Sequence, residues 1–87
     1  MSKILINGDY TIEGKFSFDV SLDRTQKPAL LIINGALETA DFIDEVTSIE
    51  NKFYKLEGIR LLTESYGSED RTAIYSFSAT DYSIKGE

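Results

Sequence analysis

The residues best placed to do chemistry in this chain are acidic. Glu38, Asp41, Asp44 and Glu45 crowd one short stretch. If that stretch is helical, Asp41, Asp44 and Glu45 share a face, because positions three and four apart are neighbours on a helix. Such a face offers negative charge to a basic partner, or oxygen ligands to a hard cation such as calcium. The spacing departs from an EF-hand loop, which needs ligands at alternate positions and a central glycine. The plainer alternative is a solvated helix face with acids near its N-terminus, where the dipole favours them. The functional reading of Glu38, Asp41, Asp44 and Glu45 is therefore partner binding, with no metal and no cofactor assigned.

Other chemistry is limited by what the composition lacks. The 87 residues include no histidine and no cysteine. The commonest general base, the commonest metal ligand and any thiolate are thus missing together. A serine nucleophile would need a lysine base, and no Ser-x-x-Lys spacing occurs. Neither a Gly-x-Gly-x-x-Gly nor a phosphate-cradling Gly-x-x-x-x-Gly-Lys motif is found. Fifteen acids leave carboxylate pairs available on paper, but a chain this small seldom builds a substrate cleft as well as a core. The expectation is a protein that is not an enzyme.

The net charge of −6 is uneven. From Pro28 to Asn51 there are five acids and no base, which leaves the remainder at −1. A chain of this sign has no basic footprint for phosphates, so nucleic acid and anionic membranes are disfavoured as partners. The nearest approach to a base-stacking pattern is Lys52, Lys55 and Arg60 around Phe53 and Tyr54. No apolar run reaches the ~20 residues of a membrane helix, and Met1 to Asp9 turns polar too early for a secretory leader. With cysteine absent as well, a cytoplasmic home is expected.

The elements that must position these residues are mostly strands. From Tyr10 to Leu22, apolar and polar residues alternate without a slip: Tyr10, Ile12, Phe16, Phe18, Val20 and Leu22 on one side, with Gly14 in their register. A period of two marks a strand with one buried face and one wet face. Asn7-Gly8 precedes it, after a short strand at Lys3 to Ile6, and reads as a hairpin turn needing φ > 0 at both residues. Asn34-Gly35 sits between Ala29–Ile33 and Ala36–Glu38 and reads as a second hairpin. Leu30 to Ile33 does not alternate, which suggests a central strand buried on both faces. Further strands are expected at Phe53 to Glu57 and Ile59 to Ser65, with a bend at Gly58, and at Arg71 to Thr80. The last of these carries Ala73, Tyr75, Phe77 and Ala79 on its inner face. Thr72, Ser76, Ser78 and Thr80 form a lightly charged outer row.

Residues 40–51 fit a short helix, with Phe42, Val46, Ile49 and Phe53 in line and Thr39 or Asp41 as cap. The β-branched Ile43, Val46, Thr47 and Ile49 argue instead for more strand. The fold expected is mainly β: one domain over residues 1–87, a small antiparallel curled sheet or barrel with hairpins at Asn7-Gly8 and Asn34-Gly35 and a short helix near 40–51. The alternative is α+β, with that helix on one antiparallel sheet. The function expected is a small acidic protein-binding module that occludes a basic or nucleic-acid-binding partner. The second reading is a structural subunit that forms homo-oligomers by sheet-edge pairing.

The long strand sets a test of its own. Thirteen residues at ~3.3 Å each span roughly 43 Å, whereas a compact chain of this length is about 31 Å across. Either Gly14 bends the strand sharply, or the strand overhangs the body.

Overall fold

The computed structural model describes residues 2–41, 43–67 and 71–85. They form one antiparallel sheet of eight strands: β1 (Ser2–Ile6), β2 (Tyr10–Asp23), β3 (Leu30–Thr39), β4 (Ser48–Glu50), β5 (Tyr54–Glu57), β6 (Arg60–Tyr66), β7 (Ala73–Ala79) and β8 (Asp81–Ile84). The order across the sheet is β6-β7-β3-β2-β1-β4-β5-β8. The mainly β, single-sheet expectation holds. Among the described residues no ladder joins β6 and β8, but the sheet curls so that β5 and β8 come to face β2. Phe18 of β2 meets Tyr54 of β5 edge-on, with ring centroids 5.2 Å apart, and Tyr82 of β8 at 6.0 Å.

The two ends are linked by chain crossings. β5 passes into β6 through Gly58, and β7 passes into β8 through Thr80. The crossings touch where Thr80 N–H donates to the Glu57 carbonyl at 3.0 Å, and the first is tied to the segment before β4 by Ile59 N–H donating to the Thr47 carbonyl at 3.1 Å. Gly58 turns here with φ +65°, and a Cβ on it would collide with the Thr80 hydroxyl. The expected bend at Gly58 is thus the corner where one long hairpin changes from one side of the sheet to the other.

The core lies inside the curl. Phe77, Leu37, Ile33, Ile4, Ile6, Ile49 and Leu56 are fully buried, from both halves of the sheet. Ala73, Tyr75, Phe77 and Ala79 all face inward, as their spacing implies. Among the described residues every buried side-chain polar atom has a hydrogen-bond partner.

Three expectations are corrected. First, among the described residues no helix forms near 40–51. Ile43 and Val46 are buried from an irregular segment, and Ser48–Glu50 is strand β4, paired with β1 and β5. Phe42, which anchored the helical pattern, lies outside the described residues, as do Ser68, Glu69 and Asp70. Of the β-branched residues that weighed against a helix, Ile43, Val46 and Ile49 are buried while Thr47 is exposed, and Asn7 fixes the path between them. Its Oδ1 accepts from the N–H of Thr47 at 2.6 Å and of Ser48 at 3.3 Å, while its Nδ2 donates to the Glu45 carbonyl at 2.8 Å.

Second, Asn7-Gly8 is a hairpin turn and Asn34-Gly35 is not. Asn7 and Gly8 both take positive φ, at 59° and 65°, and Asp9 N–H closes the turn on the Ile6 carbonyl at 3.0 Å. Asn34 and Gly35 instead run through the middle of β3, with Phe18 opposite Gly35 on one side and Phe77 opposite it on the other. Gly35 serves close approach. A Cβ there would strike the Ser17 carbonyl and lie 2.7 Å from Phe77 Cζ.

Third, Leu30 to Ile33 is not a central strand buried on both faces. β3 pairs with β7 only from Ile33 onward, so among the described residues Leu30, Leu31 and Ile32 have β2 as their only neighbouring strand. The long strand does not break at Gly14. There β2 exchanges one partner for another: β1 pairs with it up to Gly14, and β3 from Gly14 to Asp23. The strand therefore overhangs. The radius of gyration is 13.5 Å and the longest dimension 44 Å, against about 12 Å and 31 Å for a compact chain of this length.

Candidate interaction surface

The overhang is a two-stranded ribbon made from the end of β2 and the start of β3. The in-register pairs Val20–Ile33 and Leu22–Leu31 continue the core face outward. Beyond the body that face is uncovered: Val20 is 39% exposed, Leu22 50%, Leu31 36%, and Leu30 on the opposite face 54%. Its tip, residues 24–29, includes a cis Lys27–Pro28 bond. Asp23 organises the tip, its Oδ1 accepting from the Thr25 hydroxyl at 2.5 Å and the Thr25 N–H at 3.0 Å. These bonds, the hydroxyl's first, hold the Asp23 carboxyl below its usual range.

At the base of the ribbon opens a cleft of about 440 Å³, lined by Phe16, Ser17, Phe18, Asn51, Tyr54 and Tyr82. The alternation of β2 supplies Phe16 and Phe18, half-buried on the inner face. Tyr54 and Tyr82 come from the facing strands, where Leu56 pairs with Tyr82 and Tyr54 with Ile84. Asn51 shapes the third wall, its Oδ1 accepting from the N–H groups of Phe53 and Tyr54 at 2.8 Å each. Lys85 braces that wall through Glu50, at 2.5 Å, and the Asn51 carbonyl, at 3.1 Å. Phe53 projects beyond it, 58% exposed, with the Lys52 ammonium 5.9 Å from its ring centre. Four aromatic rings stand in the lining beside the polar Ser17 and Asn51, which suits the uptake of apolar side chains flanked by polar groups.

The four acids are not gathered on one face. Glu38 lies on the outer face of β3, half-buried, and pairs with Lys15 at 3.2 Å. Asp41 turns back onto β2, where its Oδ2 accepts from the Glu13 N–H at 3.0 Å. The Thr39 hydroxyl donates to the Glu13 carbonyl at 2.7 Å. Asp41 and Thr39 thus satisfy the first backbone position of β2 that β3 no longer reaches. Asp44 and Glu45 are exposed on the segment that Asn7 holds. Among the described residues no group of three or more acidic side chains stands close enough to hold a metal ion. The outer hydroxyl row is also divided: Ser76 and Ser78 lie on an internal strand, Thr72 is buried and Thr80 sits at the corner.

Two phenols carry perturbed titrations. Burial chiefly, with the nearby Glu64 carboxylate, pushes the Tyr75 phenol up, against a hydrogen bond from the Ile43 backbone. The Tyr66 phenol is raised by its hydrogen bond to Glu64. Neither faces the cleft lining.

The cleft escaped sequence reasoning because its walls come from residues far apart in the chain, and each aromatic in isolation reads as core. The signal that was legible was the length of the β2 alternation against the size of the domain. Compared with protein-family models, curated proteins and solved structures, the chain matches none.

Proposed function

We propose that this chain is a non-enzymatic structural subunit that assembles with copies of itself through the open edges of its sheet. The observation that carries the reading is the overhang. An isolated two-stranded ribbon is marginal in water, yet this one keeps its register beyond the last β7 pair, from Ser21–Ile32 to Asp23–Leu30, with aliphatic side chains uncovered on both faces. Contiguous exposed apolar surface of this kind marks an interaction site. An open edge beside it supplies unpaired backbone groups that favour strand addition.

Assembly links stability to concentration, because a partner copy binds the folded chain and not the unfolded one. For a dimer, each tenfold rise in protein concentration should lift the melting temperature by about 4 °C. Differential scanning calorimetry across a dilution series measures this. A melting temperature independent of concentration, with a monomeric mass by light scattering at high micromolar protein, would overturn the proposal.

A second reading rests on Asp44 and Glu45, which stand exposed on a segment with no base near them in sequence. There the chain would occlude a basic protein surface by charge, with association steered electrostatically. Binding to a basic model partner such as lysozyme should then weaken steeply with salt and be lost in Asp44→Lys/Glu45→Lys. Equal binding by that variant removes this reading.

A further inference from the structure

The reading of self-assembly leaves open which edge pairs and in what register, and the backbone of β2 answers both. β2 has β1 beside it only up to Gly14. From Lys15 to Asp23 it has β3 on one side and, among the described residues, no strand on the other. The directions of its free groups follow from Glu13, whose N–H and C=O both turn to the β3 side, toward Asp41 and Thr39. Backbone groups alternate sides along an antiparallel strand. Ser17, Asp19 and Ser21 therefore face β3 as Glu13 does, and Phe16, Phe18, Val20 and Leu22 face the open side.

An added antiparallel strand exchanges hydrogen bonds only between residues that both face it. If that strand is β2 of a second copy, the four outward residues must meet one another. Shifting by one residue would set inward against outward groups and is excluded. One register pairs all four: Phe16 with Leu22 of the second copy, and Phe18 with its Val20, about a two-fold axis at Asp19. Moving by two residues in either direction leaves one of the four unpaired. The side chains agree with this choice. All four outward residues carry their apolar side chains on the core face, so aromatic meets aliphatic across the axis, a favourable cross-strand pairing. At both ends of the ladder Lys15 meets Asp23 of the second copy. The only like-charged contact is Asp19 against itself.

The register also places the cleft. The strand beside Phe16 and Phe18 is the overhanging part of the second copy, carrying Val20 and Leu22. We propose that β2 is a homodimerisation strand. Two copies pair antiparallel through Phe16, Phe18, Val20 and Leu22, and each sets its ribbon against the cleft lined by Phe16, Phe18, Tyr54 and Tyr82 of the other. The contact is isologous, as closed two-fold dimers require, and it covers in one step the exposed leucines, the open edge and the aromatic cleft.

The test uses three variants of the full chain in sedimentation velocity from low to high micromolar protein. Val20→Pro deletes a donor that faces the open side and leaves the β2–β3 ladder intact; it should weaken dimerisation at least about tenfold while far-UV circular dichroism stays native. Asp19→Asn removes the like-charge contact at the axis and should tighten the dimer several-fold, a gain that a damaged fold would not produce. Leu62→Lys, on the far edge strand β6, should leave dimerisation unchanged. Self-association that ignores Val20→Pro and Asp19→Asn but is lost in Leu62→Lys would overturn the β2 interface while keeping the assembly reading. A chain that stays monomeric throughout would overturn both.

Discussion

Gly35→Ala is expected to destabilise the fold by about 3 kcal/mol, a large share of the roughly 5–10 kcal/mol available to a domain of this size. The added methyl has nowhere to go. It meets the Ser17 carbonyl on one side, Phe77 Cζ at 2.7 Å and Phe18 Cβ at 2.9 Å. The carbonyl belongs to the β2–β3 ladder, and Phe77 is fully buried between β3 and β6. Neither yields without moving the centre of the sheet. Urea denaturation should show a lower midpoint with an unchanged slope. Asn34→Thr supplies the contrast. If Asn34-Gly35 were a turn requiring positive φ, this β-branched substitution would be costly. In mid-strand, with an exposed side chain, it should be neutral or slightly stabilising. A stable Gly35→Ala protein together with a damaged Asn34→Thr protein would refute the strand assignment.

The two Asn-Gly pairs show what is and is not legible in this sequence. Locally they are identical, each following an apolar run. Asn7-Gly8 turns because β1 and β2 close on each other immediately. Asn34-Gly35 stays extended because Phe18 and Phe77 pack on either side of it, and Phe77 lies far along the chain. Patterns of period two were readable at β2 and β7 because burial on one face suffices to write them. Residues 43–49 were not, since Ile43, Val46 and Ile49 are buried from a segment without a regular period, and their spacing coincides with a helical one. Leu30 to Ile33 misled for a related reason. A continuous apolar run can mean burial on both faces, or, as here, a ribbon left partly exposed.

The candidate site was legible in a different way. Glu38, Asp41, Asp44 and Glu45 stood out because they are adjacent in sequence, but the geometry that would unite them was the helix that does not form. Two of them act within the fold, Glu38 on Lys15 and Asp41 on the Glu13 N–H. The cleft draws on β2, the β4–β5 turn and β8, which no local pattern connects. What the sequence did carry was a mismatch of lengths. A strand longer than the domain is wide must bend or protrude, and β2 protrudes.

Asn7 should prove the most sensitive polar residue in the chain, and a series at this position separates its two roles. Its backbone sits at φ 59°, where asparagine and glycine are tolerated and alanine is strained. Its side chain bonds the Glu45 carbonyl and the N–H groups of Thr47 and Ser48. Asn7→Gly keeps the turn and loses the bonds, for an expected loss of about 2 kcal/mol. Asn7→Ala loses both and should cost about 3 kcal/mol. Asn7→Asp keeps the acceptor that faces Thr47 and Ser48 but not the donor to Glu45, so it should be the mildest of the three. Hydrogen exchange locates the effect. The Thr47 and Ser48 amides should lose protection first, while the β2–β3 amides change only as global stability falls. This is the segment that stands where the sequence suggested a helix, and it holds Ile43 and Val46 in the core without regular backbone pairing. If Asn7→Gly were as stable as the parent, side-chain bonding would not be what fixes that path, and the burial of Ile43 and Val46 alone would have to account for it.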